Sequence, residues 1–443
     1  MSSTIKRNKY EIDMCNGTIM DKLISFSLPL MLSGILQLMF NAVDIIVIGR
    51  FSGSQSLAAV GSTTALINMF TNLFIGISLG ANVLSARFYA AGKDKEMSET
   101  VHTAITLALI SGIIMVFVGL IFAKPVLELM DTPDDVINLS TLYMRIYFMG
   151  MPFFMLYNYG ASILRAVGDT KRPLFYLIVA GIANAGLNMC LVIIFHLGVA
   201  GVAIGTVISQ LISSILVLRC LYQSETSYQL RFSKLKIQKE YLKQIFQVGI
   251  PAGIQSTVIN FSNVLLQSSV NSFGSIAMAG YTAANNIFGF LYVTVNAVTQ
   301  ACMSFTSQNY GVGKWKRMDR VLIDCLILSF VAMMILGNSA YFFGPKLLTI
   351  YTSNSKVIQC GMEILLYTTV TYFLCGFMDL FPGALRGMGR SGVPMILSII
   401  GTVRSLDILF ISYPASWIIT IVLQVICYYF VRKQLYAKMR AEA

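Results

Sequence analysis

The sequence predicts an all-α polytopic membrane protein with twelve spans, arranged as two six-helix lobes. Three observations lead there. Only 12% of the 443 residues are charged while 56% are hydrophobic, against about 25% charged in a typical soluble domain. Apolar runs long enough to cross a bilayer recur at regular spacing. The two halves also repeat one another. YAAGKDKEM at 89–97 matches YGVGKWKRM at 310–318, and RAVGDTKRP at 165–173 matches RGMGRSGVP at 386–394 at the same offset. Six spans per half give both halves the same orientation, so they read as parallel repeats about an axis along the membrane normal, with a cavity between them.

Taken in order, a polar segment at 1–22 precedes the first lobe at 23–218. It has no small-residue cleavage site, so no cleaved signal peptide is expected. The first lobe holds spans at 23–48, 66–84, 105–122, 142–163, 174–195 and 199–218. A basic linker at 219–245 contains RFSKLKIQKEYLK. The second lobe, 246–431, holds spans at 246–270, 287–305, 321–343, 364–385, 395–403 and 408–431, and a basic tail occupies 432–443. With the N-terminus placed in the cytoplasm, all but six of the 32 Lys and Arg residues fall in inside segments. That alternation predicts a plasma or inner membrane protein with both termini cytoplasmic. It also accounts for the net charge of +12 without a nucleic-acid partner. The repeat exposes one irregularity. Between Pro394 and Trp417 the second half is about 14 residues short, and span eleven, MILSIIGTV, meets the polar RSLD at once. Nine helical residues cover only about 14 Å.

Asp44 stands among Ala42, Val43, Ile45, Ile46 and Val47 in the first span. A carboxylate there costs roughly 2.5–3.5 kcal/mol on insertion scales. Gln37, Asn41 and Asp44 fall at i, i+4 and i+7, on one helical face. Asn184 and Asn188 are i, i+4 on span five, Thr206 and Ser209 lie on span six, and Asn158 lies on span four. Any one of these is commonly interhelical glue. Together they offer oxygen ligands suited to a small hard cation, or a proton site at the carboxylate. Asp44 has no acid opposite it in the repeat, where Leu266 stands. The second half has instead Asp379 on span ten, opposite Asn158, with Asn263 on span seven. Gln37, Asn41, Asn158, Asn263 and Asp379 are the candidates for lining a substrate cavity.

Other patterns carry less. GMGRSG at 387–392 fits G-x-G-x-x-G, but no soluble strand-turn-helix surrounds it, and its repeat partner lacks the glycines. Both copies read as tight cytoplasmic turns with membrane-anchoring arginines. YGVGKWK is no phosphate loop, because Trp315 replaces the Ser/Thr. His102 and His196 read as interface histidines. The eight cysteines are scattered; Cys190, Cys302, Cys325, Cys375 and Cys427 read as small core residues. No nucleophile–base pair is visible, so no enzyme and no cofactor are expected.

SLPLMLSGILQLMFNAVDIIVIGRFSG, RAVGDTKRP, RGMGRSGVP, GVAGVAIGTVISQ and the two-times-six layout together resemble the prokaryotic branch of the multidrug and toxic compound extrusion (MATE) family. The resemblance covers nearly the whole chain. It implies two six-helix lobes around a V-shaped cavity, and antiport of organic, often cationic, drugs against Na⁺ or H⁺. The first-span acid of that family falls on Asp44 and its span-six threonine on Thr206. The span-five pattern Asn-x-x-x-Asp reads here Asn184-x-x-x-Asn188, so the second acid is absent. The span-seven acid of some members has no match, and Asp379 lies near their span-ten acid. A monomer is expected, with the bilayer and small molecules as partners. Two alternatives stand beside this: a lipid-linked saccharide flippase of the same superfamily, and a copy inactivated by the shortfall in span eleven. A flippase cavity should hold Arg or Lys for pyrophosphate, and the spans offer mainly acids.

Overall fold

The computed structural model describes residues 9–130, 132–271, 275–369, 371–403 and 412–442. Among them the chain is helical, without strands, and it divides into two compact units. The first comprises 1–13 and 32–253, the second 14–31 and 254–443. α1 (Met20–Phe51) thus gives its first part to the second unit and the rest to the first.

The first unit continues through α2 (Gly53–Ala90), α3 (Asp94–Leu129), α4 (Asp134–Met149), α5 (Met151–Ala166), α6 (Lys171–Met189), α7 (Gly198–Tyr222) and the start of α8 (Lys239–Asn271). Its core gathers Ile48, Met97, Ile105, Met115, Leu127, Phe148 and Tyr159, all essentially without solvent contact. Small residues let these helices approach. Gly112 of α3 lies against Pro152 of α5, and Gly160 of α5 against Val217 of α7. This is the packing expected where lipid removes the hydrophobic drive between helices.

The linker is not a free tether. Tyr228 and Leu230 are fully buried and belong to the first unit's core. Tyr228 donates to Glu11 over 2.6 Å, as does Tyr89, and burial pushes the Tyr228 hydroxyl up. His102 fixes the next stretch. Its Nδ1 donates to the Ser98 carbonyl over 2.6 Å, and its Nε2 accepts the Arg231 N–H over 3.0 Å. It is therefore a buried bracket between helix and linker, its two ring nitrogens satisfying backbone groups.

The second unit holds α9 (Ser275–Gly311), α10 (Trp315–Phe342), the short α11 (Gly344–Thr349), α12 (Ser355–Thr369), α13 (Tyr372–Gly387), α14 (Gly392–Val403) and α15 (Ser412–Glu442). Phe288 stacks on Tyr372 at 5.6 Å, and Trp417 meets the same ring edge-on at 6.1 Å. Met14 and Phe26 also pack here. Asn309 donates to the Met14 carbonyl over 3.1 Å, and Phe26 meets Phe305 edge-on.

The sequence repeat reappears as repeated backbone geometry. Gly92 and Gly313 take φ of +66° and +70°. After them the N–H of Lys93 bonds the Phe88 carbonyl, as the N–H of Lys314 bonds that of Asn309. Gly168 and Gly389, at φ +97° and +80°, close α5 and α13 in the same way. These are helix stops that need the left-handed region, which glycine enters without a Cβ clash. Gly389 of GMGRSG thus serves a helix C-terminus. In the first copy of the repeat the arginines point into protein. Arg172 pairs with Asp169, which is fully buried, and Arg165 Nε donates to the Ala161 carbonyl over 3.1 Å. Burial raises the Asp169 carboxyl and Arg172 opposes it. The cysteines Cys302, Cys325 and Cys375 are buried as expected, whereas Cys190 and Cys427 are half-exposed.

Eight helices among the described residues are long and apolar enough to span a membrane, or nine if α12 and α13, bent by 49°, count as one. Span four of the sequence reading is two helices, α4 and α5, broken at Gly150 ahead of Pro152. Span ten likewise is divided between α12 and α13. Span eleven is carried by α14, whose 12 residues reach about 18 Å; residues 404–411 beyond it lie outside those described.

Candidate functional site

Asp44 is buried on α1. Two helices of the same unit supply its partners. Asn188 Nδ2 donates to Asp44 Oδ1 and lies 3.3 Å from Asn184 Oδ1. Thr206 of α7 stands beside the Asp44 carboxylate and accepts from Asn184 Nδ2 over 3.5 Å. Four residues drawn from three helices thereby form one connected polar cluster. Asn188 is fully buried and its Oδ1 has no hydrogen-bond partner. A buried acceptor left so costs about 1–3 kcal/mol.

Local backbone features hold the cluster. Asn184 and Asn188 are one helical turn apart on α6, so both amides face the same way. Directly after Asn188 and Met189 the helix widens into a π-helical turn, Cys190–Ile194. Such turns recur at functional sites. On the facing helix, Gly205 leaves the room that Asn188 Oδ1 takes: a Cβ built there would collide with it. Gly181 does the same for the Phe40 ring of α1. Gly181 thus lets α6 close on α1, and Gly205 lets α7 close on α6, so that short side chains of α6 reach the carboxylate.

The remaining sequence candidates do not join the cluster. Gln37 and Asn41 are exposed, although α1 carries them within two turns of buried Asp44. Asn158 donates to the Phe154 carbonyl of its own helix over 2.8 Å. The side chain of Asn263 lies outside those described. Asp379 belongs to the second unit, half-buried beside Tyr292 of α9 and within electrostatic reach of Arg386. Arg386 Nη2 donates to Gln255 Oε1 over 2.6 Å, and Gln255 Nε2 to Ser398 Oγ over 2.6 Å. Asp379 and Arg386 are seven residues apart on α13, two turns along one face.

Two residues near the first cluster escaped the sequence reading. Tyr143 and Tyr147 of α4, the first buried and the second half-buried, with ring centroids 6.1 Å apart, lie within electrostatic reach of Asp44. Their i, i+4 spacing was the available signal, but tyrosine is common near membrane interfaces. No group of three or more His, Cys, Asp or Glu side chains suited to a metal occurs among the described residues. The first cluster offers one carboxylate and neutral oxygens. That donor set has the hard character that Na⁺ takes, and its single acid is also a place for one proton.

The MatE family model matches residues 29–190 and 251–411. The chain is 29% identical over 433 residues to the probable multidrug resistance protein YoeA of Bacillus subtilis (strain 168), covering 92% of this chain and 93% of that protein. It is 24% identical over 391 residues to the multidrug export protein MepA of Staphylococcus aureus, covering 88% and 86%. A solved multidrug resistance MATE family transporter of the MOP superfamily, in an outward-facing conformation, matches with a TM-score of 0.90 and 19% identity over 98% of this chain and 100% of that one. At that identity the likeness is one of fold.

Proposed function

The chain belongs to the MatE family of membrane multidrug-efflux transporters, and from that premise we propose that it exports organic, often cationic, compounds in exchange for Na⁺ or H⁺ at Asp44. The observation that carries this reading is the buried carboxylate of Asp44, hydrogen-bonded by Asn188 and flanked by Thr206. Family members are transporters rather than enzymes, and the named relatives export drugs or are associated with drug resistance.

The chemistry is an exchange of occupants. The Asp44 carboxylate binds a proton covalently or pairs with Na⁺, and either neutralises its charge. Asn184 and Thr206 supply neutral oxygens to a metal cation. Asn188 contributes Nδ2 to the empty carboxylate, while its unpartnered Oδ1 is a further oxygen donor nearby. Binding of the ion favours one facing state and binding of the drug the other; only such differential affinity drives antiport. With one acid in the cluster, a monovalent ion balances the charge. Asp379 serves as a substrate-facing acid in the second lobe. The lobes are the six-helix halves at 23–218 and 246–431, both termini are cytoplasmic, and the transporter works as a monomer.

Ethidium efflux from a pump-deficient bacterium tests the reading. The wild-type chain is expected to export ethidium, and Asp44→Asn to reduce export to background at normal expression. Dependence on an added Na⁺ gradient, or loss with a protonophore, identifies the ion. Equal efflux from the Asp44→Asn variant would remove the coupling role of Asp44. Efflux only after the span-eleven gap is refilled would mark the shortfall as inactivating.

A further inference from the structure

α8 has two unlike faces. Its inner face sits tightly on α2: Gly76 lies against Gly253, and Gly80 against Ile245 and Gly249. That close seat fixes the helix in rotation. Its outer face carries a shallow, open groove lined by residues of α8 alone.

The groove has a graded lining. Lys239 and Lys243 stand at its mouth, both exposed, and Gln247 continues their row at the same spacing of four. Beside that row run Leu242, Phe246 and Ile250, ending at Pro251. The two lysines cover about 6 Å along the helix axis, the depth of one headgroup layer, about 5–8 Å. The apolar row extends about 12 Å beyond Leu242, into hydrocarbon. Glu240, the exposed acid of the first turn, stands beside the groove and does not line it.

We propose that this face of α8 is a binding site for an anionic phospholipid, its phosphate on Lys239 and Lys243 and one acyl chain along Leu242, Phe246 and Ile250. The complementarity is of charge and of order. Cationic donors stand only at one end, and apolar surface fills the rest, which matches a molecule with one anionic head and a hydrocarbon tail. A free inorganic anion would use only the lysine end. The inference concerns a face separate from the Asp44 cluster and does not rest on the transport reading.

Native mass spectrometry of the purified full-length protein tests it, after incubation with vesicles of phosphatidylcholine and phosphatidylglycerol. Wild type is expected to retain phosphatidylglycerol in preference. The Lys239→Gln/Lys243→Gln variant should weaken that retention about thirtyfold, roughly fivefold per lysine near an anionic headgroup. Glu240→Gln, which removes a neighbouring negative charge, should not weaken it, and inorganic phosphate should not displace the lipid. Phe246→Ala/Ile250→Ala should weaken retention while both lysines remain. Equal retention of the two lipids, an unaltered lysine variant with a wild-type melting profile, or displacement by inorganic phosphate would each overturn the proposal.

Discussion

Gly205 has no side chain, and Asn188 uses the room. Its substitution is a sharper probe of the cluster than removing a polar group, because it moves Asn188 without changing any donor or acceptor. Gly205→Ala is expected to cost about 1–3 kcal/mol through overpacking and to lower ion-coupled efflux, because Asn188 must leave Asp44. Thermal unfolding and transport, measured together, check it; wild-type values for both would mean that Asn188 does not depend on that gap. Gly205 had no legible role in the sequence, since a glycine's purpose depends on which side chain faces it. Asp44, Asn184, Asn188 and Thr206 were legible for the opposite reason: a polar group inside an apolar span announces its own cost. Gln37 and Asn41 were legible by the same rule as candidates for a cavity wall. The helical wheel fixes the angle between residues but not the rotation of α1 against its neighbours, and the structure leaves those two exposed.

At the level of the element, the helix stops decide the turns. Gly92 and Gly313 sit at φ +66° and +70° in matching positions of the two halves. Alanine at either site meets the left-handed penalty, about 1–2 kcal/mol. Each single substitution should lower thermal stability by a similar amount, and the double substitution by the sum, since distant sites add. Differential scanning measurements on the single and double variants check this; a cost at only one site would mean the shared turn is not shared in energy. The repeated sequence made these turns legible in advance. The breaks at Gly150 and between α12 and α13 were not, because hydropathy averages over a kink and reads one span where the backbone makes two helices.

For the whole molecule, the charge distribution makes a topological prediction. In a cysteine-free background, a cysteine replacing Lys356 should react with a membrane-impermeant thiol reagent from outside intact cells. One replacing Lys236 should react only once the cells are opened. The reverse pattern would invert the orientation drawn from the Lys and Arg count. The membrane character follows from composition and the all-helical class from the length and spacing of the apolar runs, whereas the docked linker was not legible: its basic residues mask Tyr228 and Leu230, which are wholly buried. The division of α1 adds a matter of timing. Met14 and Phe26 find their partners Asn309 and Phe305 in the second unit, the first pair separated by 295 residues. At roughly 5–20 residues per second of synthesis, the start of the chain waits about 15–60 s for those partners to be made. During that interval the first part of α1 must be sheltered by lipid or by the insertion machinery, so the earliest residues synthesised are among the last to reach their final packing.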